Sequence, residues 1–198
     1  MNDFWIWFST GFQHILDWNG YDHILYIMAL CVLFSLKDWK KLLVLVTAFT
    51  VGHSLTLVLS TWEIISIRQS FIEVLIPLTI IITCLVNIVY HKKLQTPQTK
   101  INYNLNYSLA LIFGFIHGMG FSYLLKSLLG KEEKILFPLL SFNLGLETGQ
   151  IIIVGTMLLF SVFLARFTRI KKADGILIIS SSVLLVSTLL FIQQLIAL

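Results

Sequence analysis

The sequence predicts an all-α polytopic membrane protein with six transmembrane helices behind an N-terminal interfacial helix. Three observations carry that. The 198 residues are 57% hydrophobic and only 12% charged, and the mean hydropathy of +0.88 lies far from that of soluble domains. Six apolar runs follow one another with polar breaks between them, and the basic residues sit in those breaks rather than on a surface stripe. The net charge of +4 is therefore a topology signal, and no nucleic-acid partner is implied.

Residues 1–20 are aromatic rather than aliphatic, with Phe4, Trp5, Trp7, Phe8, Phe12 and Trp18 set among Asp3, His14 and Asp17. Tryptophan favours the headgroup zone, so this stretch is expected to lie in or dip into the interface. Asn19-Gly20 then breaks the helix. The spans are expected near 22–36, 42–61, 70–90, 107–128, 135–165 and 174–197. The first is short for a ~30 Å hydrocarbon core, and Pro77 is expected to kink the third. Residues 21–90 thus hold three spans, 91–106 a cytoplasmic linker and 107–198 three more, within one transmembrane domain. The 3 + 3 layout invites an inverted repeat, of which His53-Ser54 against His117-Gly118 is a faint echo. Cys31 and Cys84 lie in apolar runs and read as packed hydrophobes.

The basic residues set the orientation. Lys37, Lys40, Lys41, Lys92, Lys93, Lys100, Arg166, Arg169, Lys171 and Lys172 follow the odd-numbered spans, whereas Arg68, Lys126, Lys131 and Lys134 lie on the other side. By the positive-inside rule both termini are non-cytoplasmic, in a cell (inner) membrane.

The polar residues within the spans point to function. Phe113-Gly-Phe-Ile-His117-Gly-Met-Gly120 lies in a run, Leu109 to Leu125, without Asp, Glu, Lys or Arg. An ionisable ring in such a run needs a partner or a wet cavity, and its glycines let another backbone come close. Asp22-His23 opens the first span and Gly52-His53-Ser54 lies in the second. Glu73 starts the third, while Asn143 and Glu147 are i, i+4 neighbours in the fifth. Each has a plainer reading: Asp22 as a helix cap, His53 and Asn143 as interhelical hydrogen bonds, Glu73 as a solvated helix end. Glu147 resists one, because an unpaired carboxylate at the bilayer centre costs ~2.5–3.5 kcal/mol. Together they place imidazoles and carboxylates in one half of the membrane, the chemistry of a divalent transition-metal site. The expected ligands are His23, His53, His117, Glu147, Asp22 and Glu73, with His14 and Asn143 behind them.

These stretches resemble the HupE/UreJ family of membrane proteins, described as nickel or cobalt permeases and as hydrogenase or urease accessory proteins. The resemblance runs through His14-Ile-Leu-Asp17-Trp-Asn-Gly20-Tyr-Asp22-His23, Phe49-Thr-Val-Gly-His53-Ser, Phe113-Gly-Phe-Ile-His117-Gly and Phe142-Asn143-Leu-Gly145-Leu-Glu147-Thr-Gly149-Gln150. The family's opening His-Pro-x-x-Gly-x-Asp-His differs here, since no proline follows His14. Met119-Gly120 also stands where the family often has a second histidine.

The resemblance favours a permease carrying Ni, Co or Zn as a divalent substrate, with membrane lipids as surroundings and a homo-oligomer left open. The alternative from the residues is a zinc-dependent intramembrane hydrolase facing outward. In it His23, His53 and His117 hold the metal, Glu147 or Asp22 is the base, and Ser54 and Asn143 steady an oxyanion.

Overall fold

Apolar segments of this length satisfy their backbone groups only as helices once water is excluded. The computed structural model describes residues 3–17, 20–94, 103–129, 135–168 and 171–198, and its regular elements there are all helical. These are α1 (Asp3–Leu16), α2 (Asp22–Cys31), α3 (Trp39–Thr61), α4 (Gln69–Leu94), α5 (Tyr103–Leu129), α6 (Leu136–Phe167) and α7 (Lys172–Ile196). Trp18, Asn19, Lys100, Lys131, Lys134 and Arg169, which entered the interface and charge readings, lie outside the described residues. So does most of the expected linker, because α4 runs on to Leu94 and α5 starts at Tyr103.

Among the described residues five helices, not six, are long and apolar enough to cross a membrane: α3 to α7. The expected first span contracts to α2, whose 10 residues reach ~15 Å, about half the hydrocarbon core. Its successor begins at once. Ser35, in extended backbone, and Asp38 form a reciprocal capping box around the 3-10 turn Leu36–Asp38, and α3 starts immediately after it. α2 is nevertheless central, touching α4, α6 and α7 with His23, Tyr26, Ile27, Ala29, Leu30 and Cys31 buried. The Asn87 side-chain amide donates to the Ala29 carbonyl at 2.7 Å.

α1 is the 14-residue helix of the expected interfacial segment. It lies lengthwise against α6, one of three close pairs beside α3/α5 and α4/α7. Glycine makes the pair. A Cβ on Gly11 would collide with the Phe142 carbonyl, and one on Gly145 with the carbonyl of Phe8. With those side chains absent, two backbones meet directly and gain contact over their length.

The α3/α5 pair is built the same way. A Cβ on Gly52 would strike the Leu111 carbonyl, and one on Gly114 that of Phe49. In both pairs residue numbers rise together, so the partners are parallel. The long helices alternate in direction along the chain, so α3 and α5 run against α1 and α6. This inverted relation sets His14 of α1 in the register of His117 of α5, three residues beyond Gly11 and Gly114. His53 does not enter that correspondence, so the faint echo of His53 in His117 is not the repeat.

Outside these contacts Val44, Val51, Leu55, Ile152, Leu159 and Leu185 are exposed, as a lipid-facing surface requires. Lysines collect at the end of the bundle where α2 stops and α3 and α7 begin: Lys41 bonds Asp38 at 2.7 Å and Lys172 bonds Ser35 at 2.8 Å.

Candidate metal centre

Four helix segments bring imidazoles to one place. α1 supplies His14 near its end and α2 supplies His23 in its first turn, with the two rings 4.7 Å apart between centroids. α3 and α5 supply His53 and His117, both essentially fully buried. Their depth follows from glycine packing, since Gly118 sits against the His53 backbone. The His23 ring lies 5.0 Å from His117 and 6.3 Å from His53, and His14 lies 5.8 Å from His53. Potential ligand atoms of His14, His23 and His53 all fall within 4.8 Å of one another, as do those of Asp22, His23 and His117.

Hydrogen bonding decides which ring nitrogens are free. Asp22 Oδ1 accepts from the His23 backbone N–H at 2.9 Å and from Nδ1 of the same residue at 3.0 Å. A proton held on Nδ1 leaves Nε2 with its lone pair, the carboxylate–histidine arrangement common behind metals. Thr79 spends its hydroxyl proton on the Ile76 carbonyl at 2.7 Å, so its oxygen, 3.3 Å from His117 Nε2, accepts from that ring. His117 Nδ1 is then the free nitrogen.

Among the described residues, His14 Nε2, His23 Nε2, both nitrogens of His53, and His117 Nδ1 are buried without a hydrogen-bond partner. Unpaired buried polar atoms are costly. Several lone pairs gathered from different helices make a donor set that suits a borderline transition-metal cation.

Aromatic rings wall the cluster. Phe121 lies 4.0 Å from the His14 ring and stacks on Phe142 at 4.9 Å. Tyr26 lies 5.2 Å from His117, with its own hydroxyl buried and unpaired. Two cavities reach the site from its flanks. One of about 560 Å³ is bounded by Gln13, His14, Asp17, Phe121 and Leu124. The other, about 140 Å³, is bounded by Asp22, Glu73, Ile76, Pro77 and Gln194.

The structure therefore gathers His14, His23, His53, His117 and Asp22, while the remaining expected residues stand apart. Glu73 lines the smaller cavity with Asp22 and accepts from the Gln69 amide at 2.9 Å. Glu147 faces the α3/α6 seam, accepting from the Thr47 hydroxyl at 2.7 Å, one turn from the Thr50–Gln150 bond of 2.9 Å. Among the described residues neither acid joins a metal-type group. The Ser54 hydroxyl donates to the Thr50 carbonyl of its own helix at 2.6 Å. Asn143 follows Phe142 on α6 with its side-chain oxygen buried and unpaired. Sequence reasoning missed Thr79 and Tyr26. Neither carries a signal there, since threonine bonded to its own helix and tyrosine in an apolar run are both ordinary.

The family model described as HupE / UreJ protein matches residues 1–194, and the chain belongs to that family. Comparison with curated proteins and with solved structures finds no match. Family membership and the apolar helices together make this a membrane protein concerned with nickel or cobalt transport.

Proposed function

We propose that the chain is a permease whose substrate is a divalent transition-metal ion of the nickel, cobalt or zinc kind. The ion would be held by His14, His23, His53 and His117, with Asp22 orienting His23 and Thr79 orienting His117. The observation that carries this reading is the set of partnerless buried imidazole nitrogens on α1, α2, α3 and α5, which fall into two close groups, His14/His23/His53 and Asp22/His23/His117, joined through His23. Asp17, Asp22 and Glu73 on the flanking cavities would collect the cation before it reaches the rings.

The basic end is read as cytoplasmic, which puts the cavities on the non-cytoplasmic side of a cell membrane. Glycine-packed pairs of opposite direction supply two halves that can rock about the site, as alternating access requires.

The hydrolase reading is weaker. Of its two candidate bases, Glu147 is engaged by Thr47 on another seam and Asp22 by the His23 ring, and its hydroxyl Ser54 is spent on its own helix.

Uptake of radiolabelled nickel and cobalt into proteoliposomes of the purified protein tests the proposal. Metal accumulation above empty vesicles, lost in His53→Ala, is expected. Stoichiometric metal binding without flux would overturn the permease reading.

A further inference from the structure

At the end of the bundle away from the imidazoles, α6 and α7 are consecutive in the chain yet do not pack as a pair. The end of α2 stands between them and leaves a cleft of about 470 Å³, within the ~300–1,000 Å³ usual for small-molecule sites. Its walls are apolar, from Phe34, Met157, Leu158, Ile176 and Ile179, and its rim carries Lys37, Lys171 and Lys172. The rim is of one sign. Asp38, on the turn beside it, is taken up by Lys41 at 2.7 Å. Lys172 is steadied over the cleft by its 2.8 Å bond to the Ser35 hydroxyl. Gly175, on the cleft wall, would meet nothing within 4 Å if it bore a Cβ, so the space beside it is open.

An apolar slot between membrane helices, closed at one end by ammonium groups, matches an amphiphile with a chain and an anionic head. We propose that this cleft is a binding site for an anionic phospholipid. One acyl chain would lie between α6 and α7, and the phosphate would rest on Lys37, Lys171 and Lys172. The inference is independent of the metal reading and uses none of its residues.

Native mass spectrometry of the full-length protein in detergent tests it, with phosphatidylglycerol and phosphatidylcholine of matched chains as probes. Phosphatidylglycerol is expected to bind about tenfold or more tightly than phosphatidylcholine, as basic rims favour anionic headgroups. The Lys37→Gln/Lys171→Gln/Lys172→Gln variant should lose that preference, whereas Lys40→Gln should keep it. Gly175→Phe fills the slot without touching a lysine and should reduce binding of both lipids, which keeps the test decisive if the triple variant fails to fold. Equal binding of the two lipids, an unchanged triple variant, or full competition by glycerol phosphate lacking acyl chains would overturn the proposal.

Discussion

The α1/α6 and α3/α5 pairs share one construction yet serve the centre unequally. In each, a glycine on either helix meets the other's carbonyl, with Gly11 and Gly145 in the first pair matching Gly114 and Gly52 in the second. His14 and His117 hold equivalent positions. The remaining partners differ, because Leu146 on α6 stands where α3 carries His53, and Gly149 stands where α3 carries Thr56. Thr56 bonds the Phe115 carbonyl at 2.7 Å, while Gly149 leaves its side open to Ile15 and the Phe12 carbonyl. One pair thus gives two imidazoles and the other gives one, with His23 of α2 supplying the fourth. Close packing and ligand supply are separable properties of this sequence, and variants can move one without the other.

The largest effect is expected at the shared glycines. Gly52→Val and Gly145→Val each drive a side chain into the partner's backbone, and each should cost about 3 kcal/mol or more, the upper range for overpacking. Equilibrium unfolding in mixed micelles reads this. Gly155→Val, with open space around it, is the control that should stay near wild type. If only one of the first two destabilises, the pairs are not equivalent.

Ligand supply comes next. His53→Ala should weaken metal binding by more than the about 10–100-fold typical of losing a supporting residue, measured by titration calorimetry with cobalt. Leu146→Ala, its counterpart in the other pair, should cost stability but leave metal affinity in place. Asp22→Asn keeps the shape beside His23 and removes the charge, so the loss should fall to about 10–100-fold. Smallest is Thr56→Val, which deletes the hydrogen bond from Thr56 on α3 to the Phe115 carbonyl on α5. It should destabilise by about 0.6 kcal/mol, the average for such bonds in membranes, and by at most about 1.7 kcal/mol, without changing metal affinity.

Much of this was visible in the residue order, and what was not has a physical cause. His23, His53 and His117 stand out because each interrupts an apolar run beside a glycine or an acid, and the depth of a residue follows from its place along the run. Helical phase does not. Phe142, Gly145, Leu146 and Gly149 share the face of α6 that meets α1 or the core, which turns Glu147 toward α3 and away from the rings. The Glu147 carboxylate therefore meets Thr47 at the α3/α6 seam and not the rings. His14 stood in the opposite case. An aromatic-rich segment suggests an interface, and only the match of Gly11 with Gly145 reveals that α1 packs on α6 and brings its imidazole to the cluster. The ten-residue α2 escaped because its apolar run continues to Leu36, while Ser35 and Asp38 cap the next helix inside that run.

The central claim is that imidazoles from four separate helices share one metal ion. X-ray absorption spectroscopy of the cobalt-loaded protein tests it most directly. Wild type should show a nitrogen/oxygen shell with multiple scattering from at least three imidazoles, decreasing by one ring in His53→Ala. A metal bound without imidazole scattering, or a spectrum unchanged by that substitution, would contradict it.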